Sequence, residues 1–393
     1  MAQTRTDGSL EGRTLFHTVM PLTAALAASF TAGSAMSMLV QLYLKSRGCS
    51  TLIIGLSTSA LSLGTFLGTL TFGALSDRFP RKPLLVVALL GGMGTMATLA
   101  LLPPPPGVLA AVFARAAFGT GLGTVAMAIV SGMSRAAQRG RNLSYVSASR
   151  SLGLMLGKLG GGFLLAYLGF RGSFAVLAAL PLLGLFFVLP LPETGGRRWK
   201  ERASLAMVFR HGLGGLFLGA LLRQLGTNGF FSLVYVYMDT LRIPAELMGA
   251  VSALNSGLQV LGMLLFGHLA DRIGRRKVFL TGFSLSILVP LIFASSRGPG
   301  GMALGFLTLG IAFSSLYIGS TAYIGDVIPL ERQGEMLGLF ESSRALGGLL
   351  GPVLAGALAR VFGLRGMFLA MAGVIALGFL LVLLCRRVTP SGH

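Results

Sequence analysis

Apolar and polar positions in this chain separate on the scale of whole segments rather than single residues. Twelve mostly apolar runs of about twenty residues or more fall near 15–40, 52–76, 83–103, 108–130, 143–167, 172–190, 212–237, 246–270, 277–296, 300–325, 335–359 and 364–385. About 20 apolar residues in a helix cross the roughly 30 Å hydrocarbon layer. The runs are continuous and lack the period-two alternation of barrel strands, so helices are predicted. The longest polar gap, Glu193 to Arg210, separates six runs from six. The pattern predicts an all-α integral membrane protein of twelve transmembrane helices. Its parts are a tail (1–14), a six-helix bundle (15–190), a linker (191–211), a second bundle (212–385) and a tail (386–393). Residues 1–14 are polar and the first run is long enough to span, so no cleavable signal is expected. In the linker, Trp199, Leu205, Met207, Val208 and Phe209 stand among arginines and predict an amphipathic helix on the inner face.

Composition strengthens this reading. Charged residues are only 11% against 53% apolar, which excludes a soluble domain, and 26 Phe exclude a disordered chain. The net charge of +20 resides mostly in the short gaps, so it reads as topology and not as a nucleic-acid surface. With both ends inside, 20 of the 32 basic residues lie in inner gaps and tails, seven lie outside, and five lie within spans. That bias predicts a multi-pass protein of a prokaryotic plasma membrane with cytoplasmic termini. Cys49 and Cys385 are far apart, and His17, His211 and His268 sit singly near span ends. No metal site, cofactor or enzyme active site is expected, and no nucleotide-binding motif is present.

The two halves repeat at a constant shift of 194 residues. Gly73-Ala-Leu-Ser-Asp77-Arg78-Phe-Pro-Arg81-Lys82 returns as Gly267-His-Leu-Ala-Asp271-Arg272-Ile-Gly-Arg275-Arg276. Arg150-Ser-Leu-Gly153 returns as Arg344-Ala-Leu-Gly347, and Gly169-Phe-Arg171-Gly172 as Gly363-Leu-Arg365-Gly366. Such a repeat implies two pseudo-symmetric bundles around a central cavity. With Arg115-Ala-Ala-Phe-Gly119, Pro192-Glu193-Thr194 and the glycine-rich Gly153-Leu-Met-Leu-Gly157-Lys158-Leu-Gly-Gly161, the chain resembles a major facilitator superfamily transporter over essentially its whole length. The likeness is to the bacterial drug and small-molecule exporter branch. In the fifth-span motif Lys158 stands where those antiporters carry proline, and the proline form appears in the other half as Gly351-Pro352. The resemblance implies gating loops at Gly73, Asp77, Arg78, Arg81 and Lys82 and at Gly267, Asp271, Arg272, Arg275 and Arg276. It further implies that Asp77, with Asp271 as its weaker twin, docks on the opposite half when the protein faces outward. Glycines spaced by four at Gly64 and Gly68, Gly119 and Gly123, Gly153, Gly157 and Gly161, and Gly347 and Gly351 have two readings: static packing or sliding surfaces.

Ionisable groups within spans are costly and usually functional. By position, Lys158 and Arg223 lie near mid-span, Arg115 in an outer half, and Arg150 and Arg344 about two turns from the inner face. Glu341 is the one carboxylate well inside a span, three residues before Arg344, and the two are expected to pair. The expected cavity residues are Lys158, Arg223, Gln224, Asn228, Asn255, Gln259 and Arg115, with Phe230, Phe231 and Met263 making it partly greasy. The amides have two readings, substrate contact or helix glue. The coupling candidates are Glu341 and Lys158. The excess of cations over carboxylates points to an amphipathic or anionic small organic molecule, drug-like or lipid-like, moved by alternating access as proton-coupled export. The alternatives are facilitative or symport uptake of a polar metabolite and, as a minor one, a non-transporting sensor on the same fold. The expected partners are that small molecule, protons and the lipid bilayer, with no nucleic acid, and the chain is expected to be a monomer.

Overall fold

The computed structural model describes residues 18–134, 136–193, 214–327 and 333–384, without the side chains of 136–141, 260, 264, 267, 268, 270, 271, 273, 275, 317–327 and 333–339. The tails 1–14 and 386–393, the amphipathic reading of the linker, and the side chains of Gly267, Asp271 and Arg275 lie outside the described residues.

Every regular element described is helical: α1 Met20–Ser46, α2 Thr51–Arg78, α3 Arg81–Ala100, α4 Pro105–Met133, α5 Ala136–Val188, α6 Gly214–Phe231, α7 Val234–Thr240, α8 Ala245–Ile273, α9 Arg275–Ser295, α10 Pro299–Val327 and α11 Gln333–Leu384. In hydrocarbon each backbone N–H and C=O needs an internal partner, which a helix supplies along its own length. Eight of the helices are long and apolar enough to cross a membrane: α1 to α5 and α9 to α11. The protein is an all-α, multi-spanning membrane protein.

The departures from the expected spans have local causes. α1 runs on to Ser46, because Gln41 and Lys45 in its last turns find polar partners on α6 and α7. It closes with Gly48 at φ +72°, whose N–H binds the Lys45 carbonyl at 2.9 Å while Cys49 N–H binds that of Leu44 at 3.0 Å. This is a Schellman stop. The run expected at 212–237 is two helices, α6 and α7, parted at Ser232 and Leu233. The runs on either side of Gly169 join into α5, and those around Gly363 into α11. Gly169 (φ 61°, ψ −173°) and Gly363 (φ 70°, ψ 174°) make the same kink, in a region of backbone space that is essentially glycine's alone. The Pro103–Pro106 run ends one helix and starts another, with Pro105 at the first position of α4, where a missing N–H costs nothing.

The chain forms two compact units, Met1–Val40 with Leu63–Trp199, and Gln41–Ser62 with Lys200–His393. In the first, α5 lies against α1 at backbone distance. A Cβ on Gly153 would stand 2.6 Å from the Ala27 carbonyl oxygen, one on Gly157 would overlap that of Thr31, and one on Gly161 would reach Ala35 at 3.1 Å. Gly64 and Gly68 seat α2 on Phe113 and Ala117 of α4 in the same manner. Between these contacts lies an aliphatic core that includes Leu26, Leu85, Leu89, Leu122 and Val146.

In the second unit α11 lies against α6 through repeat-equivalent glycines. Gly347 abuts the Leu221 carbonyl and Gly351 that of Leu225, each 194 residues beyond its counterpart pair. The glycine spacing legible in the sequence is thus a helix-to-helix contact surface in both units. Its outer core is aromatic: Phe293 stacks with Phe230 (5.7 Å), Phe306 (5.2 Å) and Phe368 (5.7 Å). Phe230 is wholly buried there, so it packs helix ends instead of making a cavity greasy.

Candidate transport site

The polar residues expected to serve transport divide between the units. In the first, Lys158 is buried on α5, one residue beyond the Gly157 contact with α1. Arg115 of α4 is 3% exposed and donates through Nη2 to the Ser29 carbonyl at 2.5 Å and to Ser29 Oγ at 3.2 Å. Its guanidinium lies against Gly33, Gly92 and Gly119 from three helices, and its Nε has no partner among the described residues. Arg150 of α5 lies over the Phe30 ring at 5.4 Å, a cation–π contact.

In the second unit a polar string runs along α6: Arg223 Nη2 donates to Gln224 Oε1 at 3.0 Å, and Gln224 Nε2 donates to Asn228 Oδ1 at 2.9 Å. On α8, Gln259 Nε2 donates to Asn255 Oδ1 at 3.0 Å, while Ser314 Oγ of α10 donates to the Gln259 carbonyl at 2.9 Å. The amide pair thus bonds along its own helix, and α10 joins α8 through a backbone carbonyl. On α11, Arg344 Nη1 meets Glu341 Oε1 at 2.6 Å, with 19% and 58% of the two side chains exposed. Arg223 and Arg344 line one narrow pocket together with Phe279, Phe283, Phe313 and Phe340.

The first of the two loops expected to gate is tied at its base. Arg81 is buried at the start of α3 and donates to the Ala128 carbonyl of α4 at 3.0 Å. The Lys82 N–H in the first turn of α3 donates to Glu193 Oε1 at 3.2 Å, which places a carboxylate on a helix N-terminus where the dipole favours it. Gly73 lies near Thr124, Asp77 is half-buried, and Arg78 is exposed. In the second loop Arg272 is exposed and Arg276 half-buried. There Gly274, at φ +93°, turns the chain where the first loop uses Pro80.

Three partners were not legible beforehand. Ser29 holds Arg115, and Lys45 pairs with Asp239 at 2.5 Å, although both of the latter fell in or beside loops by pattern. Gln41, 1% exposed, donates to the Phe231 carbonyl at 3.2 Å and accepts the Tyr235 N–H at 3.3 Å. It thereby satisfies one orphan acceptor and one orphan donor at the break between α6 and α7. A glutamine at the end of an apolar run was the sole signal.

Paired glycine faces repeated at a fixed offset, tied loops and buried charges are the parts of a membrane carrier, and sequence comparison gives its family. The Major Facilitator Superfamily profile matches residues 22–255 and 216–393. The chain belongs to the Major Facilitator Superfamily. It is a secondary-active small-molecule transporter, related to exporter-type bacterial proteins. The multi-drug resistance efflux pump PmrA of Streptococcus pneumoniae is 24% identical over 349 residues, covering 85% of this chain and 86% of that protein. Citrate exporter 1 of Aspergillus niger is 30% identical over 176 residues, 44% of this chain and 33% of the exporter. The crystal structure of the nucleoside transporter NupG superposes with a TM-score of 0.80 at 15% identity, over 94% of this chain and 99% of that one, which reports shared fold.

Proposed function

We propose that this superfamily member carries a small polar organic molecule bearing a negative group, by facilitated diffusion or symport. The observation that carries the substrate class is the Arg223–Gln224–Asn228 string, a buried guanidinium followed by two amides on one helix face. A cation removed from water needs a counter-charge, and an anionic substrate provides one. Glu341, on Arg344, is the carboxylate that competes for this role. The mode rests on the comparisons, which support uptake of a polar metabolite better than proton-coupled export: a nucleoside transporter stands among them beside efflux pumps and a citrate exporter.

The architecture in this reading has twelve spans in two six-helix bundles, 15–190 and 212–385, with both termini cytoplasmic. The apolar stretches Asn142–Val188 and Phe340–Leu384 have 47 and 45 residues. At 1.5 Å per residue each is about 70 Å long, enough for two crossings. α6 with α7 then makes one span and α8 another. Lys158 and Arg115 serve the first bundle's side of the path; Arg223, Gln224, Asn228, Asn255 and Gln259 serve the second's. Glu341 and Lys158 are the groups that exchange a proton if transport is coupled to one, and the two loops around Asp77 and Asp271 gate the inner face.

A second reading, export of an amphipathic drug-like compound, is favoured by the likeness to PmrA over 85% of the chain. Proteoliposomes test both. Organic anions, cations and neutral amphiphiles are followed in each direction, with and without an imposed pH gradient, in wild type, Lys158→Ala and Arg223→Ala. The proposal expects anion movement that both substitutions reduce at least tenfold. Cation or neutral-drug movement that is equal in all three proteins refutes it.

A further inference from the structure

The pocket that holds Arg223 and Arg344 lies within the second unit, and its repeat-equivalent place in the first unit is lined differently. There, Leu26, Leu85, Leu89, Leu122 and Val146 form part of the closed aliphatic core. At the same offset of 194, the second unit has Ala220, Phe279, Phe283, Leu316 and Phe340, all of which line the pocket. Leu26 has become Ala220, which removes volume, and Ser29 has become Arg223, which adds a charge. Arg344 keeps its type as the twin of Arg150, and Leu316 as the twin of Leu122.

The charges do not cancel. Among the described residues two guanidiniums face the pocket and one carboxylate, Glu341, acts on them. Arg223 is 6% exposed and its hydrogen bond goes to a neutral amide, Gln224. Glu341 binds Arg344 through one oxygen and is 58% exposed, so it can leave that contact without being drawn from a buried position. Guanidinium is always charged and binds carboxylate through a planar fork. The pocket is narrow, with room for roughly one or two water-sized groups, the size of a carboxylate head. Its walls are rings: Phe279 and Phe283 meet edge to face at 5.7 Å, and Phe340 meets Phe217 in the same way at 5.6 Å.

We infer that Arg223 and Arg344 form the subsite for the carboxylate head of a small organic anion, which takes the place of Glu341 on Arg344. This deepens the substrate class proposed above and rests on that reading. The bound anion neutralises the surplus charge, and Glu341 acts as the resident counter-ion that an arriving carboxylate displaces.

The test uses the full-length protein in phosphatidylcholine proteoliposomes, with radiolabelled benzoate as probe and benzamide as its uncharged isostere. Saturable benzoate binding is expected, insensitive to benzamide. Arg344→Gln raises the Kd at least tenfold and Arg344→Lys restores part of the loss. Glu341→Gln lowers the Kd several-fold, because the internal competitor is gone. That opposite sign separates a binding role from a structural one, in which all the variants would lose binding together with thermal stability. Arg223→Gln is expected to match Arg344→Gln; should it fail to fold, the Arg344 and Glu341 pair still decides. Absence of saturable benzoate binding in wild type, or binding unchanged in Arg344→Gln, overturns the subsite. If other organic anions still move across the membrane, the proposed function survives that result; if none moves, both fall.

Discussion

Gly157 and Gly160 lie three residues apart on α5, yet a methyl group would meet different fates on them. At Gly157 the new Cβ would overlap the Thr31 carbonyl oxygen and stand 2.8 Å from Ser34 Cβ and 3.0 Å from the Thr31 carbonyl carbon. At Gly160 nothing lies within 4 Å. Ordinary carbon contacts settle at about 3.5–4.0 Å, so Gly157→Ala must push α5 from α1 by roughly 1 Å. The obstacle is backbone and has no rotamer to escape into. Overpacking of this kind costs about 1–3 kcal/mol. The shift also stretches the hydrogen bond from Ser34 Oγ to the Leu154 carbonyl, now 2.8 Å, of a kind worth about 0.6 kcal/mol between membrane helices. Against this, alanine gains about 1 kcal/mol of helix propensity over glycine. Gly157→Ala is therefore expected to lose about 1–2 kcal/mol, while Gly160→Ala keeps the gain alone. The assay is the temperature at which detergent-solubilised protein stops eluting as a single species. Gly157→Ala should fall below wild type and Gly160→Ala should match or exceed it. Equal midpoints, or the reverse order, would refute backbone contact as the purpose of the fifth-span glycines.

Further outcomes follow from the same geometry. Arg242 stands at φ +57° after α7, where its repeat-equivalent is Gly48 at φ +72°. Arg242→Gly should raise the melting midpoint by relieving about 1 kcal/mol or more of left-handed strain, less the chain entropy glycine adds. Gly169→Ala and Gly363→Ala meet no atom within 4 Å but force a side chain into glycine's region, so each should lose about 1–3 kcal/mol on the same scale. Gln41→Leu removes both hydrogen bonds that the side chain makes at the α6–α7 break and should cost about 1–3 kcal/mol. Lys45→Ala removes only a half-exposed ion pair and should cost about 1 kcal/mol or less. If Lys45→Ala proves the more damaging of the two, the ranking by burial is wrong.

The eight helices long and apolar enough to cross a membrane were legible because their signal is length and apolar content, which tertiary contacts hardly modify. The break at Ser232 and Leu233 was not legible. The stretch Phe231-Ser-Leu-Val carries neither proline nor glycine, and the groups it frees are satisfied by Gln41, 190 residues away. The spacing of four between Gln224 and Asn228 and between Asn255 and Gln259 foretold one helix face, and the hydrogen bonds follow that face. The partner of Arg115 had no signature, because the atom it binds at 2.5 Å is a backbone carbonyl, which any residue offers. Position along a span gave Arg223 its depth but not its bearing around the helix axis. Bearing is what sets it beside Arg344 in one pocket.

Duplication explains why scaffold and chemistry separate so cleanly. Positions that set helix approach survive in both halves: Gly153 with Gly347, Gly157 with Gly351, Gly169 with Gly363, and Gly184 with Gly378, whose methyl would stand 2.9 Å from the Gly219 carbonyl oxygen. Three positions that carry buried charge do not. Arg115 faces its twin as Leu309, Lys158 as Pro352, and Arg223 as Ser29. A glycine contact has one solution in either half because the constraint is backbone shape. A buried cation is costly in each bundle where it appears, so it persists only where something answers its charge. The Ser29 carbonyl answers Arg115 within the first unit. Arg223 has Gln224, a neutral amide, and an arginine neighbour shared with Glu341. Of these divergent cations, Arg223 is the one that shares its pocket with a second arginine, and it is the one that an anionic substrate would complete.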